Sequence, residues 1–557
     1  MKKLRIAVWH NLPSGGGKRQ LYTHVKGLVE RGHYVESWCP DTADTDFLRL
    51  GEIVTEHVVP LHSLSREINL AIRPAPVVEK LLLAMEDHCE RCANEINQGG
   101  FDVLYANACM FLRTSPIAKY VYLPSTIYLG EPYRWFYEAL PNLPWIGQHR
   151  SQEAIDSHGG YRRRLRDFVS RSIYRLISPR SSGKFSETMI DPVLQGARIQ
   201  ARAELEYART FDSILVNSIY SRESILRAYN LPSRVCYLGI DTDYYKPTGE
   251  PKDRFVLGLG TIYYAKGIDR AIRAVAAIPI DERPRLIWIG NGASEVDLEN
   301  YVNLAARLDV IFEAKIDLSD KEVISHLSRA AALIYTSRLE PFGLAPLEAN
   351  ACGTAVVGIA EAGIRETVID GVNGFLAHDD TPSVLGKLIE RIMANGDTGL
   401  EFGARAKEHV DRNWTVQSCI DNIENQLNAL HADNKGKRVF ANANEFEETL
   451  SSDAVHAHVD EFEICNGYIY ARGWGFIEDC VMDGAQSFLL VSDGKRRELH
   501  RARMSPRRDV SEHFGKTSEY DNSGFIIDGR TQTKIPRSVK LIIVSERGTR
   551  MTSFDTK

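Results

Sequence analysis

The sequence predicts an α/β protein: two doubly wound parallel-sheet domains in tandem, followed by an all-β, sandwich-like domain. Three observations predict it. Short apolar runs alternate with helical patterns from the first residues, the alternation restarts near residue 255, and after about 455 it gives way to closely spaced alternating strands. The length of 557 residues agrees, because at ~150 residues per domain it calls for three or four domains. A hydrophobic fraction of 43% and a charged fraction of 25% are those of folded globular chains and exclude disorder as the main state.

In chain order, LRIAVWH reads as the first strand, followed by a helix from about Lys18 to Glu30, strands in YVESWCP and EIVTEHVVP, and a long helix near 76–97. FDVLYAN and STIYL continue the parallel pattern, and the stretch 131–210 reads as irregular. SILVNS, the helix SRESILRAY and RVCYLGID lead into a hinge. The second unit runs through FVLGLGT, the helix in KGIDRAIRAVAAI, RLIWIGNG, a helix near 294–307, DVIFEA, a helix near 319–330, AALIYTS, a helix from Pro346, and AVVGI. The domains are therefore placed at 1–247 and 248–432, with the helix near 414–432 packing back on the first. A polar linker follows at 433–454. From 455 to 557, EICNGYIYARGWGF, SFLLVSDGKRREL, SGFIIDG and SVKLIIVSERG alternate with Asn-Gly, Asp-Gly and Arg-Gly turns, the signature of a β-sandwich.

Composition narrows the function classes. With 68 basic against 74 acidic side chains the net charge is −6, so no global positive field holds nucleic acid. Nine cysteines, sparse and odd in number, fit a reducing compartment better than a disulfide framework. Cys89 and Cys92 form the one close pair, but they lie in the helical LLLAMEDHCERCANEI without a second ligand pair, so no metal is assigned. The opening MKKLRIAVWHNLP reads as a strand rather than a leader, and no run approaches the ~20 apolar residues that a spanning helix requires. These readings place the chain in the cytoplasm.

The strongest chemical signal is YTSRLEPFGLAPLEANACGTAVVG, in which Glu340 and Glu348 lie eight residues apart around a Phe-Gly-Leu-Ala turn that opens a helix. Backbone amides at such a turn point at an anion, and carboxylates accept pairs of hydrogen bonds from sugar hydroxyls. The same two residues also suit solvated charges near a helix N-terminus, and spacing alone does not separate the readings. Asp241 and Asp243 form a D-x-D, better read as an Asx-type turn than as a metal site. The loop LGLGTIYYAKG lacks the third glycine and following acid of a dinucleotide fingerprint, which disfavours a nicotinamide enzyme.

Taken with the order of PSGGGKR, LVNSIYSRE, VCYLGIDTDYYKP, LGTIYYAKGID, IGNG and AEAGIRETVIDGVNGFL over about 430 residues, this segment resembles the E-x7-E motif of glycosyltransferase family four. These are retaining enzymes of the GT-B fold, two Rossmann-like domains facing a cleft. The resemblance implies that Lys266 neutralises a donor diphosphate, that Glu348 binds the ribose, and that Glu340 with the backbone of Phe342, Gly343 and Leu344 holds the transferred sugar. It places Gly15, Gly16 and Gly17 against the diphosphate from the opposite domain, and Gly260, Thr261, Gly290, Asn291 and Arg338 around the donor. Glu340, Lys266 and Glu131 are the catalytic candidates.

Two departures stand out. Relatives carry an arginine where this chain has Thr261, a role that Lys18, Arg19 or Arg338 is expected to fill. They also read His-Glu-Pro where STIYLGEPYRWFYE has Gly130, leaving Glu131 as the nearby ionisable group.

The function implied is a metal-independent hexosyltransferase without cofactor, moving a hexose from a nucleotide-diphosphate sugar to a glycan or lipid-linked acceptor in bacterial surface polysaccharide synthesis. A donor-binding protein without transfer activity, or a scaffold for polysaccharide-assembly proteins through the β domain, are the rival readings. YRRRLRDFVSRSIYRLISPR (161–180) holds seven arginines against one acid, which suits either the anionic inner membrane surface or an amphipathic helix packed on its domain. Tyr470, Trp474 and Phe476 alternate along one strand and suit either core packing or stacking on sugars.

Overall fold

The structure, a computed structural model, describes residues 2–62, 72–137, 192–394, 396–433 and 454–554, the last with short gaps at 466–467, 483–484, 495–496, 532 and 546–547. The basic stretch 161–180 lies outside the described residues.

The first sheet is parallel and comprises β1 (Arg5–Asn11), β2 (Tyr34–Cys39), β3 (Thr55–Val58), β4 (Val103–Cys109), β5 (Ser125–Tyr128), β6 (Ser213–Val216) and β7 (Arg234–Val235), in the order β3-β2-β1-β4-β5-β6-β7. Its central strand β1 is buried from Ile6 to Asn11, which is why RIAVWHN reads as a near-continuous apolar run rather than an alternating one. The second parallel sheet comprises β8 (Phe255–Leu259), β9 (Arg285–Gly290), β10 (Phe312–Ile316), β11 (Ala332–Tyr335), β12 (Val356–Ile359) and β13 (Gly374–Ala377), in the order β10-β9-β8-β11-β12-β13. In each sheet the strand order reverses beside the first strand, between β1 and β4 and between β8 and β11. Crevices for ligands form outside the carboxyl ends of strands at such points.

The helix Val416–Asp433 returns to the first domain and lies on the helix Gly16–Glu30. Gly27 makes room for it, since a β-carbon there would sit 2.5 Å from Ile420 Cγ1. Arg31 donates to Glu424 at 2.8 Å, and His33 Nε2 lies 2.9 Å from the same carboxylate.

The third unit is a sandwich of two four-stranded antiparallel sheets. β14 (Val455–Cys465), β15 (Tyr468–Ile477), β16 (Gln486–Ser492), β17 (Arg497–Arg501), β18 (Arg503–Ser505), β19 (Gly524–Arg530), β20 (Ser538–Ser545) and β21 (Gly548–Phe554) assemble as β14-β15-β19-β18 and β17-β16-β20-β21. Ile469, Ala471, Phe525 and Ile527 of one sheet meet Leu489, Val491, Leu541 and Ile543 of the other in a single core. The sandwich rests on the first domain: Tyr122 donates its hydroxyl to Leu499 O at 3.2 Å, Arg501 pairs with Asp212 at 3.1 Å, and Tyr122 meets Phe488 edge-on.

Several elements differ from the sequence expectation. Helices begin at Gly16 and Leu344 rather than Lys18 and Pro346, because the first-turn amides need no intrahelical partner and the weak propensity of glycine costs little there. A helix, Pro192–Ala208, occupies part of the stretch read as irregular. The β domain carries a short helix, Arg508–His513. Core packing prevails for Phe476, which is 1% exposed and stacks on Tyr520 at 3.8 Å, and Trp474 packs half-buried against it.

Candidate functional site

Both switch points open on one cleft of about 860 Å³ between the parallel-sheet domains. On the first domain, Gly15 adopts φ 131°, a conformation that side chains rarely tolerate, and serves as N-cap of Gly16–Glu30. The start of this helix therefore borders the cleft, which Gly15, Gly16 and Gly17 line. A β-carbon at Gly16 would lie 3.9 Å from Leu344 Cδ1, so the glycine loop and the Phe342–Leu344 loop approach each other across the gap.

The second domain meets it with three turns. Gly260 (φ 141°) follows β8, and its carbonyl accepts from Trp288 Nε1 at 2.8 Å. Gly290 has no space for a side chain, since a β-carbon would stand 2.8 Å from Gly260 O. Thr261 donates to Asn291 Oδ1 at 2.9 Å. Gly267 (φ 70°) then packs against β11, where Thr336 donates to its carbonyl at 2.8 Å, and this places the preceding Lys266. Gly343 (φ 92°) is the N-cap of Leu344–Ala351, whose first residues Leu344 and Ala345 also line the cleft.

Lys266 Nζ donates to Glu340 Oε2 at 2.9 Å. Burial alone would raise the Glu340 carboxyl, but the Lys266 ammonium and the Arg134 guanidinium outweigh it and hold the group below the usual carboxylate range. Burial instead dominates at Glu348, which is 9% exposed and whose pKa is raised although Arg19 and Tyr245 oppose the shift. The site thus holds one carboxylate stabilised as an anion and one whose charge is costly until a ligand satisfies it.

Every predicted site residue lines this cleft except Arg338. Its guanidinium is engaged by Glu361 and, at 3.3 Å, by Asp380, so its expected place at the donor is corrected. Lys18 is also excluded as the substitute cation at Thr261, being fully buried with Nζ 3.9 Å from Glu56. Arg19 and Arg134 line the cleft instead. Glu131 sits between two arginines, 3.0 Å from Arg113 and 3.5 Å from Arg134. A β-carbon at Gly130 would come within 3.0 Å of Asn217 Nδ2, so the amide of Asn217 claims the space that a side chain there would need.

Sequence reasoning missed Arg134, Arg113 and Asn217. They lie in or near quoted segments, but no local spacing announces that residues 113, 131, 134 and 217 converge. His10, Cys39 and Glu56 bring ligand atoms within 4.8 Å of one another beneath the glycine loop, where Lys18 already supplies a positive charge beside Glu56. Cys89 and Cys92 are buried core residues of the helix Ala75–Gln98, and Asp241 Oδ1 accepts from the amides of Asp243 and Tyr244 as an Asx turn. Among the described residues no helix is long and apolar enough to cross a membrane.

Two parallel-sheet domains facing a cleft, with helix starts and glycine turns aimed into it, define the GT-B class. The fold matches sucrose-phosphate synthase from Thermosynechococcus elongatus with a TM-score of 0.54 at 17% identity, covering 77% of this chain and 99% of that one. Anabaena HepE, solved in complex with UDP and glucose, matches with a TM-score of 0.52 at 17% identity over 76% of this chain and 100% of that one. Residues 242–409, which span most of the second parallel-sheet domain, match the family of glycosyl transferases group 1. An uncharacterized glycosyltransferase of Methanocaldococcus jannaschii is 27% identical over 233 residues, which is 41% of this chain and 63% of that relative. The chain thus spans less than two thirds of the length of that relative.

Proposed function

We propose that the protein is a retaining hexosyltransferase that uses a nucleotide-diphosphate sugar. One observation carries the reading: the Lys266–Glu340 pair and the buried Glu348 share a cleft with two helix N-termini that belong to opposite domains. Two such starts and Lys266 form a cradle for a diphosphate, where amides and the helix dipoles favour negative charge. Glu348, whose ionised form lacks adequate partners, takes the ribose hydroxyls. When the diphosphate draws Lys266 away, Glu340 is released to accept from hydroxyls of the transferred sugar. Departure of the diphosphate is assisted by charges already in place, Lys266 with Arg19 and Arg134, so the chemistry needs no metal or cofactor.

The UDP complex of the Anabaena neighbour supports a uridine nucleotide as the first to test. The acceptor is a glycan or a lipid-linked sugar of a surface polysaccharide, and the arginine-rich stretch 161–180 supports work at an anionic membrane surface. A donor-binding role without transfer is the second reading. It is favoured by Glu131, whose carboxylate is tied between Arg113 and Arg134 rather than poised as a base.

A thermal-shift series with UDP, UDP-glucose and other nucleotide sugars, followed by a transfer assay on a panel of acceptor sugars, tests the proposal. A ligand that prefers the native state raises the melting temperature by mass action. Stabilisation without any transfer would favour the second reading, and no stabilisation by any nucleotide would remove both.

A further inference from the structure

We infer that the junction between the β domain and the first parallel-sheet domain is a second carbohydrate site, built for a segment of neutral glycan remote from the donor cleft. The inference rests on the transferase reading above for its choice of a glycan.

A cavity of about 770 Å³ lies at that junction, within the ~300–1,000 Å³ of small-molecule pockets. It is walled by the helices Ala75–Gln98 and Pro192–Ala208 on one side and by β15, β18 and β19 on the other. Its lining carries as many basic as acidic side chains. Several are already mutually compensated: Lys119 with Glu86 at 3.3 Å, Arg501 with Asp212 at 3.1 Å and Arg202 with Glu206 at 2.9 Å. A balanced lining gives no net attraction for a polyanion or a polycation.

Polar capacity nevertheless remains. Glu79, Arg209, Arg503 and Asp528 line the cavity and make no side-chain hydrogen bond or ion pair among the described residues. Gln486 is nine-tenths buried and lines the cavity, and its Oε1 has no hydrogen-bond partner. Such a buried orphan calls for a ligand or water group. Tyr468, 41% exposed, adds an aromatic ring at the rim. Planar carboxylates, guanidinium groups and an amide that accept or donate in pairs, beside an aromatic ring, match vicinal hydroxyls and the apolar face of a pyranose.

The cavity lies at the opposite end of the first domain from the donor cleft. Asp212, at the start of β6, borders the cavity, whereas Asn217, just beyond its end, borders the cleft. At ~3.3 Å per residue the two are roughly 15 Å apart along the strand. A growing glycan held at the junction would therefore engage sugars several units from the reacting end.

Isothermal titration of the full chain with maltohexaose, cellohexaose, mannohexaose, an anionic galacturonic acid hexamer and UDP-glucose tests this. At least one neutral hexasaccharide should bind without competing with UDP-glucose, and both Tyr468→Ala and Asp528→Asn should weaken it, the former by roughly tenfold, while leaving UDP-glucose binding unchanged. Tyr468 is exposed, so its removal should leave the melting temperature unaltered. The inference is overturned if UDP-glucose binds but no neutral hexasaccharide does, if the anionic hexamer binds in preference, or if both variants bind as the parent does. If no nucleotide or nucleotide sugar of the thermal-shift series binds either, the transferase reading falls with it.

Discussion

The two walls of the donor cleft are constructed differently. On the second domain, backbone geometry places the working groups: Gly260, Gly267 and Gly343 all adopt positive φ, and each turn aims a neighbour such as Lys266 or Leu344. On the first domain, beyond the Gly15 loop, side chains hold one another: Arg113, Glu131 and Arg134 in one chain of charges, and Asn217 with Ser221 at 2.7 Å in another. A backbone wall tolerates little change at its turns, whereas a wall of side chains adjusts. The wall of the second domain is therefore expected to be rigid and intolerant, and that of the first domain adaptable.

Gly267→Ala should break the backbone wall most severely. A β-carbon would stand 2.3 Å from Thr336 O at a φ of 70°, so strain and clash add, and a loss of about 3 kcal/mol is expected in urea unfolding. Donor binding should disappear with it. A variant that unfolds at the parent's urea concentration would show that the turn gives way, and the contrast between the walls would go with it.

Glu340→Gln is the next largest. It keeps the volume but removes the charge that pairs with Lys266, so turnover should fall by an amount equivalent to roughly 1.5–3 kcal/mol, with a smaller change in donor affinity. Glu131→Gln, the matching change on the opposite wall, should affect the acceptor KM more than the donor. Equal effects of the two substitutions on donor affinity would mean that both walls hold the donor.

Glu348→Gln separates stability from binding. Burial raises this carboxyl above its ordinary value of 4.5, so the folded state binds the proton more tightly than the unfolded one. Stability from this group is therefore present below the unfolded pKa, is lost as pH rises from there through the raised folded value, and stays lost above it. The glutamine variant should be more stable than the parent at pH 7, should lose that advantage towards pH 4, and should bind the donor less tightly at both. Chemical unfolding at the two pH values checks the sign, and a variant destabilised at pH 7 would show that Arg19 and Tyr245 compensate the charge fully.

The same contrast explains what could be read from the chain. Donor-side glycines are required by φ and by close approach, so their spacing survives in the sequence as LGTIYYAKG, IGNG and FGLAPLE, and the parallel sheets are equally visible as buried apolar runs. Arg134 and Asn217 carry no such mark, because their place depends on strands β5 and β6 lying side by side. Arg338 shows the opposite error. It stands two residues before Glu340, and only the fold reveals that Glu361 and Asp380 turn its guanidinium away. The docking of the sandwich through Tyr122 and Arg501 was likewise invisible, since both partners look like ordinary surface residues of separate units.

The smallest effect is expected at Gly130, and it tests the adaptable wall directly. Unlike Gly267, this glycine has no positive φ, so alanine brings no backbone strain. The new β-carbon would meet only the side chain of Asn217, Nδ2 at 3.0 Å and Cγ at 3.7 Å, and the end of a side chain moves more readily than a carbonyl. The hydroxyl of Ser221, which donates to Gly130 O at 2.5 Å and contacts Asn217 Oδ1 at 2.7 Å, sets how far the amide can retreat. Gly130→Ala should therefore cost under ~1 kcal/mol in unfolding and leave donor affinity as it is, while a displaced Asn217 alters the acceptor KM. If the contact is the cause, Gly130→Ala should cost less in an Asn217→Ala background than it does in the parent. A single variant as damaging as Gly267→Ala would mean that this wall is no more adaptable than the one it faces.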